Sequence, residues 1–525
     1  KKKKDRESPD TDFEKFQILK TSPSRSQLPK RTIRASSFSH FFFFSWDSPF
    51  LPSRPTPGHG TQTSLLSYHL FLLSFQVLSL LQSGVFFSVT TKKKTACFLV
   101  SQFRMESLPD AIVQSIFSYM NNAKDVAICN SVSKSWKDSL CYIRSLYFPR
   151  STFDNYNGVD HPDTIVWRMV AAVVHLEELV VYCPFTSKGL ASWLLRAGSS
   201  LRQLELRMDN IAEYQQGCSE ALTSKVDCLG YARNLESLKL WGVLMMNAPK
   251  WDVFPKLQNL EVVGARLEDS ALSSALQACP NLKTLVLLGC EGSRNVSIDL
   301  PHLQQCKLDF YGVGNCSITL NSPKVEVLEI QGCSWIRVRE TKCLKNLTIS
   351  NSAGRVYMVD FGKLMALESL TMRGIQWCWD AVRKMLECAS EVKQLFMKVE
   401  FTGDFDSLDP FPEVDLVDFF NSHPKLQKFD IHGAMFASLC HKNSLRNLNS
   451  RFVIPSLEEV VVTVRSPLKA EQKINTLESL LKYGKNMKTM AIRILQMKSS
   501  HSCADDFFDD ICRFQRLNRK IVRIE

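Results

Sequence analysis

The stretch "NLKTLVLLG" at residues 281–289 carries the pattern L-x-x-L-x-L, in which leucines are spaced first by three residues and then by two. Successive side chains of a β-strand point to opposite faces. The pattern therefore predicts a short strand in which Leu285 and Leu287 point into a core, while Val286 between them points away from it.

The same pattern recurs along most of the chain. Its thirteen copies begin at residues 175, 200, 234, 256, 281, 302, 324, 343, 366, 391, 425, 456 and 486. The mean spacing of about 26 residues is typical of the leucine-rich repeat, in which each unit adds one parallel strand and buries its apolar face against its neighbours. The predicted fold class is therefore α/β, a leucine-rich-repeat solenoid with a curved parallel sheet and with helices and loops outside.

The segments between the strands differ in length. In "DSALSSALQACP" (Asp269–Pro280), the apolar residues Leu272, Ala275, Leu276 and Cys279 share one helical face, which predicts a return helix packed on the sheet. The repeats that begin between residues 281 and 366 are only about 19–25 residues long. We expect loops or single turns there instead of helices.

The outward strand positions would form the concave face, which is the usual binding face of such arrays. The third outward position of each strand forms a row that consists of Tyr182, Arg207, Trp241, Val263, Leu288, Asp309, Gln331, Ser350, Arg373, Lys398, His432, Thr463 and Arg493. The row is aromatic and apolar toward the first repeats and basic toward the last ones. Aromatic and arginine side chains are common anchors of protein interfaces. The residues predicted to contact a protein substrate are Tyr182, Arg207, Trp241, Arg373, Lys398, His432 and Arg493.

The basic end of the row predicts an acidic or phosphorylated segment in that substrate. The alternative is a solvated sheet face on which no single position dominates binding.

A separate helical region precedes the repeats. In "LPDAIVQSIFSYM" (residues 108–120), Ile112, Ile116 and Met120 are spaced by four, which predicts one apolar helical face. A second apolar segment follows the breaker "NNAKD" at residues 121–125.

The start of the first helix and the course of the second can be read from spacing. Ser107 and Asp110 have the S-x-x-D spacing of a helix N-terminal box, and Pro109 falls in the first turn, where a missing N–H costs little. In the second segment, Ile128, Val132 and Trp136 are again spaced by four, which predicts a shared face.

These residues resemble the F-box, a domain of about forty residues. Its landmarks occur here in order as Leu108, Pro109, Ile116, Phe117, Met120, Asp125, Val132, Ser133 and Trp136. Asn130 departs from the family pattern, which has a small or apolar residue there, so we expect it to weaken packing. With the repeats, the chain from Met105 onward resembles the plant F-box proteins that carry leucine-rich repeats.

The resemblance implies that the helical region docks to the Skp-family adaptor of an SCF ubiquitin ligase, and through it to a cullin-RING ligase. A domain this small buries little core of its own, so exposed apolar residues on it favour a partner. By resemblance, the residues that form or support the adaptor-binding surface are Leu108, Pro109, Ile112, Ile116, Phe117, Val132 and Trp136.

The tryptophans of "GIQWCWDAV", Trp377 and Trp379, have two interpretations. They could line a small-molecule pocket, as in plant hormone receptors of similar architecture, or they could pack a return helix.

Charge and cysteine usage exclude other classes. The net charge is +12, but residues 1–104 hold 16 Lys+Arg against 6 Asp+Glu, whereas the remainder holds 49 against 47. We therefore expect no nucleic-acid partner.

The 17 cysteines contain no C-x-x-C pair, which favours reduced and mostly buried thiols over disulfides, and no metal site or cofactor is predicted. Cys290 and Cys333 follow strands and are expected to be structural.

The first 104 residues begin with "KKKKDRE", contain no methionine and are rich in lysine, phenylalanine and serine runs. We interpret residues 1–104 as a translated leader that is disordered and not native, with a natural chain from Met105 to Glu525. The alternative is a membrane anchor at residues 65–89, an uncharged stretch that Lys92 and its two lysine neighbours flank.

The predicted organisation has the leader at 1–104, the F-box at 105–148, a connecting helical segment at 149–174, and the solenoid with a C-terminal cap at 175–525.

The predicted function is that of the substrate-recognition subunit of an SCF-type ligase in the cytoplasm, the nucleus or both, with no membrane contact if 1–104 is not native. The alternative is a leucine-rich-repeat scaffold or membrane-anchored receptor without a ligase role. No enzyme motif such as G-x-S-x-G or H-E-x-x-H occurs, so no catalysis is predicted.

Overall fold

The computed structural model describes residues 109–153, 160–208, 224–311, 316–401, 412–442, 452–467, 469–495 and 503–525. The predicted leader, the alternative anchor at 65–89 and Leu108 lie outside the described residues. Within the described ranges, no helix is long and apolar enough to cross a membrane.

The described helices lie before residue 278 and after residue 378, with only strands between them. In chain order they are α1 (Asp110–Ser118), α2 (Ala123–Asn130), α3 (Lys134–Asp138), α4 (Pro162–Ala172), α5 (Ser187–Ala197), α6 (Lys225–Cys228), α7 (Asp269–Gln277), α8 (Trp379–Cys388), α9 (Leu416–Ser422), α10 (Gly433–His441), α11 (Ala470–Tyr483) and α12 (Cys503–Leu517). Short 3-10 turns cover Ser139–Tyr142, Arg150–Phe153 and Leu229–Tyr231.

The strands are short and follow the repeat pattern. In chain order they are β1 (Ser145–Phe148), β2 (Glu178–Val181), β3 (Gln203–Arg207), β4 (Ser237–Trp241), β5 (Leu244–Met245), β6 (Asn259–Val263), β7 (Arg266–Leu267), β8 (Thr284–Cys290), β9 (Asn295–Asp299), β10 (Gln305–Phe310), β11 (Cys316–Asn321), β12 (Val327–Gln331), β13 (Cys333–Arg339), β14 (Asn346–Asn351), β15 (Met358–Asp360), β16 (Ser369–Trp377), β17 (Gln394–Phe401), β18 (Lys428–His432), β19 (Glu459–Val464), β20 (Thr489–Ile494) and β21 (Val522–Ile524).

Fifteen strands form one parallel sheet in the order β1-β2-β3-β4-β6-β8-β10-β12-β14-β16-β17-β18-β19-β20-β21. All thirteen L-x-x-L-x-L copies become strands of this sheet, so the repeat prediction is confirmed. Leu285 and Leu287 are fully buried, whereas Val286 lies half-buried on the opposite face. We call that opposite face the open face.

The first and last strands were not predicted from the repeats. Strand β1 comes from the residues that were predicted as the end of the F-box, and it pairs in register with β2, so that Leu146 lies beside Leu179. The helical region is therefore joined to the sheet by backbone hydrogen bonds as well as by the chain. At the far end, β21 pairs with β20.

A second parallel sheet lies where loops or single turns were expected, and that prediction is wrong. Strands β9, β11, β13 and β15 form it in the order β15-β13-β11-β9. The reason is a period-two pattern in these segments, because Val296 and Ile298 of β9 and Ile318 and Leu320 of β11 point into the core. The chain returns there as a strand, which needs fewer residues than a helix.

Return helices cover the longer repeats. In α7 the predicted inward residues Leu272, Ala275 and Leu276 are buried, as is Cys279 just beyond the helix. The carboxylate of Asp269, the first residue of α7, accepts hydrogen bonds of 2.9 Å from two backbone N–H groups of the next repeat. Helix α7 is thereby fixed to the start of β9 in the next repeat.

A row of side chains borders the amino ends of the large sheet's strands. It consists of the residue before β1 and the first variable position of each of the thirteen L-x-x-L-x-L copies. We call this row the edge ladder, and its rungs are Arg144, Glu177, Arg202, Glu236, Gln258, Lys283, Gln304, Glu326, Lys345, Glu368, Lys393, Gln427, Glu458 and Lys488. Each rung's backbone N–H donates to the carbonyl of the rung before it. No two neighbouring rungs carry the same charge.

Many neighbouring rungs form ion pairs. The Lys345 and Glu326 side chains lie 2.8 Å apart, and those of Lys393 and Glu368 lie 3.0 Å apart. Lys488 pairs with its neighbour Glu458 at 2.6 Å. Sequence reasoning missed this row because it considered only the positions that face the open face.

Candidate interaction surfaces

The helical region that precedes the sheet has a small core. Val113 and Phe117 of α1 are fully buried, and Val126 of α2 joins them. Trp136 of α3 is also buried, and its ring meets that of Phe117 edge-on with centroids 5.7 Å apart. Phe117 and Trp136 were predicted to form or support the adaptor surface, and the structure places both of them inside.

The first helix begins one residue later than expected. Pro109 is the N-cap of α1, not a residue of its first turn, and Ser107 lies outside the described residues. Pro109 has extended backbone, so its carbonyl can accept from the N–H groups of Ile112 and Val113. Asp110 does not cap the helix; it accepts a 3.0 Å hydrogen bond from the Ser135 hydroxyl and so ties α1 to α3.

The predicted apolar face of α1 is divided between core and surface. Ile112 is 45% exposed, while Ile116 and Met120 are half-buried. The buried pair Val113 and Phe117 lies one residue further on, which is a rotation of about 100° around the helix. The apolar side of α1 is therefore wider than the part of it that packs into the core. Ile112 lies at the edge of this side and remains exposed.

The second apolar segment is not one helix. Helix α2 ends at Asn130 and α3 begins at Lys134, because the Ser133 hydroxyl caps α3 by accepting from the Trp136 N–H. The prediction that Ile128, Val132 and Trp136 share a face is therefore wrong. Ile128 is 54% exposed, Val132 is half-buried and Trp136 is buried.

Three exposed apolar side chains on this region were missed as candidates for partner binding. They are Tyr119 at the end of α1, Ile128 on α2 and Tyr142 in the following 3-10 turn, each more than half exposed. The sequence contains an indication of them, because this region has more apolar residues than one face of each helix can bury. Together with Ile112 they form the helical-region surface that we consider for a partner.

Asn130 departs from the F-box pattern, and it is poorly accommodated. Its side-chain oxygen is buried and has no hydrogen-bond partner among the described residues. A buried and unsatisfied acceptor typically costs about 1–3 kcal/mol.

On the large sheet, strand pairing aligns several neighbouring members of the predicted row of outward residues. Strand pairing places Arg207 beside Trp241, and Arg373 beside Lys398. His432 and Arg493 belong to the same row through Thr463. The predicted register of this row is therefore correct at these strand pairs.

At the first repeats, carboxylates hold the aromatic side chains of the row. The Tyr182 hydroxyl donates to Glu205, and Trp241 Nε1 donates to Glu205 Oε1 at 2.8 Å. Burial and the bonded Glu205 raise the pKa of Tyr182 above its ordinary value. Lys239 lies 3.3 Å from Glu261 and 4.9 Å from the centre of the Trp241 ring. This end of the row is thus a fixed polar and aromatic network.

At the last repeats, the predicted cations differ in availability. Arg373 is exposed and lies over the Phe396 ring at 4.7 Å, and Lys398 is exposed beside it. Neither has a carboxylate partner within the described ranges. These two residues form the available basic part of the row.

His432 and Arg493 are already engaged. His432 is only 9% exposed, with Nε2 3.1 Å from an Asp430 oxygen. Arg493 contacts Glu525 at 2.9 Å and Asp430 at 3.8 Å. A partner that used either side chain would have to compete with these contacts.

The two tryptophans of residues 374–382 pack into the protein. Trp377 is fully buried and its Nε1 donates to the Arg373 carbonyl at 3.2 Å. Trp379 begins α8 and meets Phe401 edge-on with centroids 5.4 Å apart. Of the two interpretations, packing against a return helix is the one the geometry supports.

The described thiols and potential metal ligands were also considered for a site. The fourteen cysteines whose side chains the structure describes are thiols, and eight of them are buried. Cys290 Sγ lies 3.8 Å from the Val262 carbonyl, and the Cys333 carbonyl accepts from the Asn351 amide at 3.2 Å, so both residues connect adjacent repeats. In the part of the chain that is described, no cluster of three or more His, Cys, Asp or Glu side chains is placed to hold a metal.

Comparison with known families matches both regions of the chain. A family model described as F-box-like matches residues 105–149, and the model "FBD-associated F-box protein At5g56370, LRR repeats" matches residues 190–349. The two matches coincide with the helical region and with a large part of the repeat sheet.

Individual relatives come from Arabidopsis thaliana. The chain is 61% identical to "F-box protein At1g10780" over 421 residues, which are 80% of this chain and 100% of the relative. It is 22% identical over 323 residues to "F-box/LRR-repeat protein At1g67190", covering 58% of this chain and 74% of that protein. With an F-box-like helical region, a sheet built from leucine-rich repeats and a full-length relative at this identity, the chain belongs to the plant F-box/leucine-rich-repeat family.

Proposed function

We propose that this protein is the substrate-recognition subunit of an SCF-type ubiquitin ligase. The helical region docks a Skp-family adaptor, and the open face of the repeats holds a target protein. The chain itself carries out no catalytic step and raises the concentration of the target near the ligase. We place this work in the cytoplasm, the nucleus or both.

The observation that carries the proposal is the exposed apolar surface of the helical region. Ile112 and Ile128 are about half exposed, although isoleucine is among the residues most often buried. Burying an aliphatic side chain fully contributes about 1.5–3 kcal/mol. A partner that covers Ile112, Ile128 and the two exposed tyrosines would therefore gain a useful part of its binding free energy here.

Adaptor binding by the full chain tests this proposal. An Ile112→Asp/Ile128→Asp variant places charges on two residues of the helical-region surface, and we expect the affinity for the purified adaptor to fall at least tenfold. Leu195→Asp on α5 is the matched control, because Leu195 is a 67% exposed aliphatic residue of a repeat helix. Equal binding by all three proteins would refute the adaptor surface.

For the target, we propose that an acidic or phosphorylated segment meets Arg373 and Lys398. These neighbouring side chains are exposed on adjacent strands, so one carboxylate or phosphate can contact both of them. Phe396 supports Arg373 from below and supplies an aromatic surface beside the charge. At the other end of the row, Tyr182, Arg207 and Trp241 would contact a different part of the same target.

A phosphoserine-rich fluorescent peptide measures the basic part directly. We expect the Arg373→Glu/Lys398→Glu variant to bind it at least tenfold more weakly than the unmodified chain does. The Lys342→Glu/Lys363→Glu variant makes the same change in net charge at exposed lysines outside the strands of the open face. If both variants lose affinity equally, the effect is one of net charge and the proposed contact is wrong.

The alternative function is a leucine-rich-repeat scaffold or a membrane-anchored receptor without a ligase role. It keeps target binding on the open face but has no use for the helical-region surface. A folded full chain that binds the phosphopeptide but not the adaptor would favour it. Cell fractionation would then test whether the protein is found with membranes.

A further inference from the structure

A cavity of about 330 Å³ lies at the carboxyl ends of β17 and β19. Helix α10, which follows β18 directly, forms one wall, and the segment that leads into α11 forms the other. Small apolar side chains line its inside, among them Ala434, Ala437 and Val464. The volume is at the low end of the range of about 300–1,000 Å³ for ligand sites, so the cavity suits a group the size of one residue.

Three cationic side chains reach the same cavity. Arg465 and Lys469 are exposed at its mouth, whereas Lys473 is only 6% exposed. The Lys473 ammonium donates to the Ser466 carbonyl at 2.6 Å. Glu400 also lines the cavity, and it pairs with Arg465 at 2.6 Å. Among the described residues that line the cavity, one is a carboxylate and three are lysine or arginine.

His441 also lines the cavity and lies between a lysine and the Glu413 carboxylate, 3.7 Å from the latter. His441 lies 2.9 Å from the Lys469 ammonium, and burial together with this lysine lowers the pKa of His441 below its ordinary value. Burial likewise lowers the pKa of Lys473, because the buried ammonium is poorly solvated. A bound anion would offset that poor solvation.

The backbone at the mouth is in a conformation that is rare for its residue type. Lys469 has a φ of 57°, in the left-handed region, and Glu340 is the other non-glycine residue with a positive φ in the described ranges. Such conformations persist where the surrounding structure holds them, and they cluster at ligand sites. At this position the conformation turns the chain from Arg465 into α11, and Arg465, Lys469 and Lys473 all lie on this wall.

We infer that this cavity captures the C-terminal carboxylate of a polypeptide whose last side chain is apolar. The carboxylate meets Lys473 and its neighbouring cations, and the last side chain packs on Ala434, Ala437 and Val464. Recognition of a chain terminus in this way is a recurring mode of peptide binding. The inference rests on the proposed function, because the captured chain end belongs to the target protein.

The position of the cavity favours a chain end over a free small molecule. Thr463 belongs to the row on the open face, and Arg465 at the mouth of the cavity follows it by two residues on the same strand end. A target that lies along the open face can therefore end in the cavity without a break. The mouth of the cavity is open, so the residue before the C-terminal residue of the target can remain in solvent. A free small molecule of the same size would be only partly enclosed.

Fluorescence anisotropy of the full chain with labelled octapeptides tests the inference. The peptides consist of glycine and serine and end in Ala, Val, Leu or Phe, each as the free acid and as the amide, and hexanoate is the small-acid competitor. We expect one or more free acids to bind at least tenfold more tightly than the matching amide. Lys473→Met, which removes the buried charge, and Ala437→Phe, which fills the cavity, should each abolish that difference. Lys482→Met, an exposed lysine on α11, is the control and should preserve it.

Three outcomes overturn the inference. The first is equal binding of acids and amides, and the second is no binding of any peptide. The third is displacement of the peptide by hexanoate at concentrations no higher than the peptide's own dissociation constant. That result would assign the cavity to free small acids. Circular dichroism establishes that each variant is folded. Adaptor affinity measured on the same samples separates a failure of this inference from a failure of the proposed function.

Discussion

Two glycines that occupy the same position in different repeats should differ sharply in their tolerance of a methyl group. Gly289 and Gly332 each end the nine-residue repeat phrase and each precede a cysteine. Both have positive φ, 59° and 81° respectively. A Cβ at Gly289 would meet nothing within 4 Å, whereas a Cβ at Gly332 would lie 1.9 Å from the carbonyl oxygen of Phe310.

The geometry sets the expected magnitudes. Alanine in the left-handed region costs about 1–2 kcal/mol, so Gly289→Ala should lower the free energy of unfolding by about that amount. Gly332→Ala adds a collision with a backbone atom of the neighbouring strand β10, which cannot rotate away as a flexible side chain would. Packed interiors deform little to relieve such a collision. We therefore expect Gly332→Ala to lower the free energy of unfolding by about 4 kcal/mol or more, which is exceptional for a single substitution.

Urea unfolding of the full chain, followed by circular dichroism and by tryptophan fluorescence, measures both changes. Repeat arrays can unfold in stages, so the midpoint of the phase that Trp335 reports is the relevant one for Gly332. The matched pair removes the cost of positive φ from the comparison. If Gly289→Ala is as destabilising as Gly332→Ala, or if Gly332→Ala changes stability by less than 1 kcal/mol, the reasoning is refuted.

Three further predictions concern single side chains. Asn130→Ala should stabilise the helical region by about 1 kcal/mol, because it removes a buried unsatisfied acceptor, and a lower midpoint in thermal unfolding would contradict this. Iodoacetamide should label the exposed Cys343 rapidly. It should label Cys306 only after unfolding, because this thiol is buried and burial raises its pKa to about 12. Mass spectrometry of the labelled peptides measures the order of labelling. Burial lowers the pKa of His423, so the unfolded chain binds its proton more readily. Stability should therefore be complete above roughly pH 6.5 and fall as the pH decreases, and His423→Gln should show a weaker decrease in urea midpoint between pH 7.5 and pH 5.5.

The sequence predicts the large sheet well because its pattern is strong and periodic. Leu285, Leu287 and their equivalents are apolar at a fixed spacing in every copy, so both the strand and its register follow from the pattern. The second sheet was missed because short repeats were assigned loops on length alone. The alternation of Val296 and Ile298 with polar neighbours was present in the sequence and indicates a strand.

The site predictions were limited by contacts between residues that are distant in sequence. His432 was grouped with the available cations, although Asp430 and Phe396 enclose it. Phe117 was assigned to the adaptor surface because family landmarks do not separate core positions from exposed ones. The cavity between α10 and α11 is formed by residues from three repeats, and no local pattern marks it.

The edge ladder has a consequence for how such an array can change in length. If the single repeat that carries Glu368 were deleted, Lys345 and Lys393 would become neighbouring rungs, and the Lys393–Glu368 ion pair would be replaced by a repulsion. Deleting the repeat that carries Lys345 would likewise bring Glu326 next to Glu368. Removal of both repeats together would instead place Glu326 beside Lys393 and restore an attractive pair. Along this part of the protein, recombination or design should therefore gain and lose repeats in twos.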